Sequence, residues 1–210
     1  MGEVTKHFTL EREGSATIVE KKSEFIGYAK PVKSEEEAIE YIKQIRKKHA
    51  DARHNVYGYV VGNTTRYSDD GEPQGTAGMP VLDIIRKTGF TDAVIVVTRY
   101  FGGILLGTGG LVRAYSAAAK AAAEAAHIVT YEQYDEVSFT CTYSDYPKIE
   151  KELTFYPVII DGVDFTDVVS VRLAVKEDKT EALSEYLKEM SAGRIILNKN
   201  GTRFDFPRNV

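Results

Sequence analysis

The stretch from Ala93 to Ala126 constrains this chain more than any other. It opens with an unbroken apolar run, Ala93-Val94-Ile95-Val96-Val97, continues into glycine-rich 102–110, and ends in an alanine-dense segment. A short apolar run bounded by turn residues reads as a buried strand, here Ala93–Tyr100. The segment from Leu111 to about Ala126 predicts a helix whose small side chains allow close packing on a sheet. Lys120 and Glu124 interrupt it, so it reads as a soluble helix.

The rest of the first half supplies partners for that strand. Ala16–Glu20 and Glu24–Ala29 are strand candidates. Ser34 followed by Glu37 is a capping-box pattern that opens a helix from Glu35 to about His49. Its apolar stripe is Ala38, Tyr41, Ile42 and Ile45, and Arg46, Lys47 and Lys48 suit the negative end of its dipole. Asn55–Gly62 predicts a strand rich in valine and tyrosine. Residues 66–78 carry the glycine, proline and aspartate of an irregular loop. Pro80 sits in the first turn of a helix that ends near Gly89.

The second half repeats a different order. Tyr134–Tyr143 predicts a strand, Tyr146–Leu153 a short helix, and Val158–Gly162 and Asp167–Lys176 two strands meeting near Asp161-Gly162. Thr180–Met190 predicts a helix and Arg194–Leu197 the last strand. The order β-α-β-β-α-β is the ferredoxin-like arrangement. The chain therefore reads as an α+β protein of two domains, 1–131 and 134–210. The 210 residues suffice for two small cores.

Net charge is −4, which disfavours a surface that is basic throughout but leaves room for a local basic face. The single cysteine, Cys141, excludes an internal disulfide and suits a reducing compartment, with a buried strand thiol as its expected state. The first ten residues lack the apolar run of a signal peptide, and no apolar stretch is long enough to cross a bilayer, so the expectation is a cytoplasmic protein without membrane contact.

Two loops hold the candidate chemistry. The first contains Asp69, Asp70, Gly71, Glu72, Gly75 and Thr76. Its three carboxylates could serve a divalent cation, but the spacing is not that of a calcium loop, and Asp-Gly and Glu-Pro are ordinary turn pairs. It is read as a turn or recognition loop, with no metal expected. The second runs through Arg99, Tyr100, Gly102, Gly103, Gly107, Gly109 and Gly110 between a strand and a helix. Backbone N–H groups in such a place attract anions. No Walker A or dinucleotide pattern occurs, so no nucleotide cofactor is expected. Arg99, Arg113, His54 and Arg53 could add positive charge. No nucleophile–base or zinc-protease motif is present.

These loops also carry a resemblance. Gly78, Val81-Leu82, Ile84-Ile85, Val94–Val97, Arg99-Tyr100-Phe101-Gly102-Gly103 and Leu106-Gly107 resemble the signature of the IMPACT/YigZ family. Lys22-Ser23 with Phe25-Ile26, His54-Asn55 with Tyr57-Gly58-Tyr59, and Ser68–Pro73 with Gly75–Gly78 match it further. Glu24 stands where a basic residue would be expected. The resemblance implies a first domain with the fold shared by a small-subunit ribosomal protein domain and domain IV of elongation factor G. It implies a second domain similar to domain V of that factor, and the bacterial form of the family, without the extra N-terminal domain of eukaryotic relatives. Those relatives regulate translation through a kinase-activating partner.

The leading expectation is a translation-associated regulator binding RNA or the ribosome. Lys22, Ser23, His54, Arg99, Tyr100, the loop glycines and Arg113 would supply the contacts. A protein partner in translation control is a further expectation. The alternatives are a metal-dependent hydrolase built on Asp69, Asp70 and Glu72, and a regulator acting through protein contacts alone. Exposure of Tyr67, Tyr100, Phe101 and Tyr115 beside basic residues would favour base stacking. Oligomeric state is left open.

Overall fold

A computed structural model of the chain describes residues 6–206. The elements are β1 (Lys6–Leu10), β2 (Gly14–Glu20), β3 (Ser23–Pro31), α1 (Glu35–Lys48), β4 (His54–Val61), β5 (Thr64–Ser68), α2 (Gly78–Thr88), β6 (Ala93–Tyr100) and α3 (Thr108–Ala125). Then come β7 (Ile128–Cys141), α4 (Tyr146–Leu153), β8 (Val158–Phe165), β9 (Val169–Lys176), α5 (Thr180–Met190) and β10 (Asn198–Asp205). The protein is α+β, and its described residues divide into two compact units, one of residues 7–130 and the other of Lys6 together with residues 131–206.

In the first unit the sheet order is β2-β3-β6-β4-β5, with every neighbouring pair antiparallel. The strand that opens with the apolar run Ala93–Val97 is β6, at the centre, and its alternate residues feed two cores. Val94 and Val96 join Tyr28, Tyr59 and the α1 stripe of Ala38, Tyr41, Ile42 and Ile45. Ile95 and Val97 join Phe25, Ala29, Val81, Ile85 and the buried alanines of α3. So α1 covers one face while α2 and α3 cover the other. The alanines matter because α3 lies close to the sheet: a Cβ on Gly27 of β3 would meet the Ala118 carbonyl oxygen at 2.4 Å. Ser34 caps α1 through Glu37 N, and the Glu37 carboxylate accepts from Lys33 N, one residue before the cap.

The second sheet has five strands: β10, β7, β9 and β8 lie in the order β10-β7-β9-β8 with each of these pairs antiparallel, and β1 also pairs with β7; α4 and α5 complete the β-α-β-β-α-β order. That is the ferredoxin-like arrangement. Phe139, Val171 and Leu173 pack with Ile149, Leu153, Leu183 and Leu187 of the two helices. Cys141 is a buried strand thiol, and burial raises its pKa.

Several boundaries differ from the sequence expectation. The last strand is Asn198–Asp205, after the expected Arg194–Leu197 with its apolar run Ile195–Leu197. Ile195 of that run is a core residue outside any strand, whereas most β10 side chains are polar and solvated, so no alternation marks the strand. The β8–β9 turn lies beyond Phe165; Asp161-Gly162 is a register shift within the ladder instead. β5 occupies residues placed partly in a loop, because its polar sequence Thr-Thr-Arg-Tyr-Ser shows no apolar pattern. α3 begins at Thr108, so Gly109 and Gly110 belong to its first turn.

Candidate functional site

Antiparallel register brings the candidate loops to one end of the first unit's sheet. Glu24 at the start of β3 pairs with Tyr100 at the end of β6, and His54 at the start of β4 pairs with Arg99. Ser68, at the end of β5, pairs with Tyr57. The β2–β3 turn, the loop 69–77, the loop 101–107 and the N-terminus of α3 therefore all emerge from strand ends on the same side.

The acidic loop is consumed internally. Asp69 accepts from Gly75 N, Ala77 N and Gly78 N at 2.8–3.1 Å, satisfying donors where α2 begins. Asp70 accepts from Arg46 and from Asn55 N, at 2.8 and 2.7 Å, while its carbonyl meets His54 Nδ1 at 2.7 Å. Asp70 and Gly71 both have positive φ, 45° and 85°, which folds the loop back on itself. Thr76 donates to the Pro73 carbonyl at 2.7 Å. Glu72 is buried beneath the sheet end and accepts from Arg99 and from Tyr115, the latter at 2.8 Å. His54 Nε2 lies 3.9 Å from the same oxygen. Among the described residues no group of three His, Cys, Asp or Glu side chains is placed to hold a metal ion. The loop is a staple whose carboxylates already have donors.

The basic candidates separate into two kinds. Arg99 is only 6% exposed, and its guanidinium is spent on Glu72 and on the rings of Phe25 and Phe101, at 5.4 and 5.6 Å from their centroids. It points to the α2/α3 face like Ile95 and Val97, so it is not a surface phosphate ligand. Lys22 and Arg113 are exposed. Arg113 pairs with neither of its sequence-suggested acids: Asp92 accepts from Gly62 N, and Glu124 pairs with Lys120. Among the described residues Arg113 and Lys22 make no ion pair. Ser23 is fully buried and accepts from Gly102 N at 3.1 Å, a structural role. Gly102 lies so close to the β2–β3 turn that a Cβ would fall 1.9 Å from the Lys22 carbonyl carbon. Gly103 and Gly107 have positive φ, 84° and 72°, and Gly107 precedes α3 without a side-chain cap.

The aromatic candidates separate as well. Tyr115 is fully buried, and burial with the neighbouring Glu72 pushes its hydroxyl far above the ordinary range. Tyr100 is held by hydrogen bonds to Asp51 and His49, and His49 Nε2 in turn meets Tyr28. Phe101 and Tyr67 remain open, at 44% and 42% exposure. Ile104, Leu105 and Val112 are exposed on and beside the same loop. Lys21, which sequence reasoning passed over, shares the β2–β3 turn with Lys22; the two-residue gap between strands ending at Glu20 and beginning near Ser23 was the available signal.

These residues lie within a region that matches a known family. The sequence profile described as the Impact N-terminal domain matches residues 21–123, and a profile described as a domain of unknown function (DUF1949) matches 139–194. The "IMPACT family member YvyE" of Bacillus subtilis is 38% identical over 194 residues, covering 90% of this chain and 88% of that one. The "IMPACT family member YigZ" of Escherichia coli is 35% identical, covering 86% and 92% respectively. A crystal structure titled only as that of a hypothetical protein is similar at a TM-score of 0.59 and 31% identity, over 94% of this chain and 98% of the other.

Proposed function

Because the chain belongs to the IMPACT family, we propose that it is a translation-associated regulator that contacts RNA or the ribosome through the loop end of its first unit. One observation supports this reading above the others. At that end the carboxylates of Asp69, Asp70 and Glu72 are bound to donors of their own chain, while Lys22 and Arg113 are exposed and have no acidic partner among the described residues. Cations left over after internal pairing are available for phosphates. The uncapped N–H groups at the start of α3 add donors of the same polarity.

A cytoplasmic location fits this role. No described helix is long and apolar enough to cross a membrane. A regulator acting through a protein partner is favoured by a different observation, the exposure of Leu105 at 81% beside Ile104 and Val112. The full chain should co-sediment with ribosomal subunits from cell extract, and Arg113→Ala should weaken that association and lower its salt slope by about one unit. Co-sedimentation at background level for wild type in low salt would sink the ribosome reading. Association that survives nuclease treatment and ignores Arg113→Ala would favour the protein partner.

A further inference from the structure

The β2–β3 hairpin turn is strained in a way its sequence does not excuse. Glu20 pairs with Ser23, so the loop has two residues, Lys21 and Lys22. Both have positive φ, 47° and 65°, the pattern of a type I′ turn. Such turns strongly favour Asn-Gly or Asp-Gly, because a side chain with a Cβ is disfavoured there. Two consecutive lysines in that conformation make a poor turn, and strain of this kind concentrates where a side chain is needed for another purpose. Both side chains are exposed.

The turn is held against Gly102, the residue that follows Phe101. Gly102 packs on the Lys22 carbonyl with no room for a Cβ and donates its N–H to Ser23. Phe101 precedes it, and its partly exposed ring rests against the Arg99 guanidinium. Arg99 is buried and anchored by Glu72, and its Nε has no hydrogen-bond partner. A guanidinium anchored in this way braces the ring it lies against through a cation–π contact. The result is an exposed aromatic ring, braced by Arg99, one residue before the glycine that packs on the two-lysine turn. Glu20 and Glu24 flank the turn, so the positive charge is confined to its tip.

We infer that Lys21, Lys22 and Phe101 form a contact site for single-stranded RNA, the lysines meeting consecutive phosphates and Phe101 stacking on a base. A π-face with adjacent ammonium groups is the arrangement that binds single strands with little sequence preference. A duplex offers no open base to stack. This inference rests on the RNA reading above and names the form of RNA and the residues. Arg99 acts as a positioning residue, through Phe101.

The test uses the full chain and a labelled uridine oligonucleotide of about twelve residues, within the length one small single-strand-binding fold covers. Affinity is measured at several salt concentrations for wild type, Lys21→Asn/Lys22→Gly and Phe101→Leu, with an RNA duplex as competitor. The double variant should melt at the same temperature as wild type or higher, because its turn now suits the backbone. Its salt slope should fall by about 1.4, since each phosphate contact on a single strand contributes about 0.7. Phe101→Leu should weaken binding about tenfold with the slope unchanged. Equal affinity and slope in all three proteins, or equal affinity for duplex, would overturn the inference and leave the wider RNA reading standing. If wild type binds neither the oligonucleotide nor ribosomes, both fall. Ribosome association without oligonucleotide binding would overturn the inference in favour of a protein contact.

Discussion

The Arg99 guanidinium donates to the Glu72 carboxylate beneath the glycine-rich loop, and both side chains are buried. The pair ties the end of β6 to the acidic loop, and Tyr115 of α3 donates to the same oxygen. Breaking a buried pair by removing one partner costs about 3–5 kcal/mol, because the remaining charge is stranded. Glu72→Ala should therefore lower stability in urea by that order, and Glu72→Gln by less, since it still accepts from Tyr115. A loss under about 1 kcal/mol for Glu72→Ala, a value typical of exposed pairs, would mean the pair is solvated.

The glycines of the signature loop should behave differently from one another. Gly102→Ala places a methyl group inside the Lys22 backbone and should cost about 1–3 kcal/mol through a forced shift. Gly109 lies in the first turn of α3, where a Cβ meets only the Arg113 guanidinium at 3.6 Å. Gly109→Ala should be neutral or stabilising by up to about 1 kcal/mol. Thermal melting of the two variants separates a close-packing requirement from a generic need for flexibility, which would give losses at both.

His49 links α1 to the sheet through Tyr28 and Tyr100. Burial and then the Lys48 charge lower its pKa below the ordinary 6.5, against the opposing pull of Asp51 and Glu24. The folded state thus binds fewer protons than the unfolded state just below that value, and stability must rise with pH there. The contribution is complete above 6.5 and is lost as the pH falls towards the folded-state value. Urea midpoints taken on either side of 6.5 should differ more in wild type than in His49→Gln. An identical pH dependence in the two proteins would remove His49 as its source.

Each unit contains its own core, so a fragment of residues 134–210 should fold alone. It retains the whole of β9, β8, β10, α4 and α5 and most of β7. Calorimetry should show one cooperative transition. A broad, non-cooperative loss of structure would mean that the second unit depends on the first.

The central strand, the three helices of the first half and the β-α-β-β-α-β order were legible because their signals are local. Ala93–Val97 is apolar at every position, the α1 stripe recurs at helical spacing, and Ser34 with Glu37 marks a helix start wherever the chain goes next. β5 and β10 were obscured for the same reason: Thr64–Ser68 and Asn198–Asp205 are solvated strands, held by a neighbour's hydrogen bonds and without an apolar pattern of their own. The residue types at the candidate site were also legible, as a basic, glycine-rich and acidic set. Their allocation was not. Whether Arg99 faces solvent or Glu72 depends on its parity along β6 and on which loop lies beneath that face. Whether the Lys21-Lys22 turn stands free or is packed depends on Gly102, which reaches it from 79 residues beyond Ser23. Local sequence determines what a segment can become, because backbone propensity and side-chain period act over a few residues. Only the tertiary structure decides which charges are cancelled inside and which are left over, because pairing is settled between segments far apart in the chain.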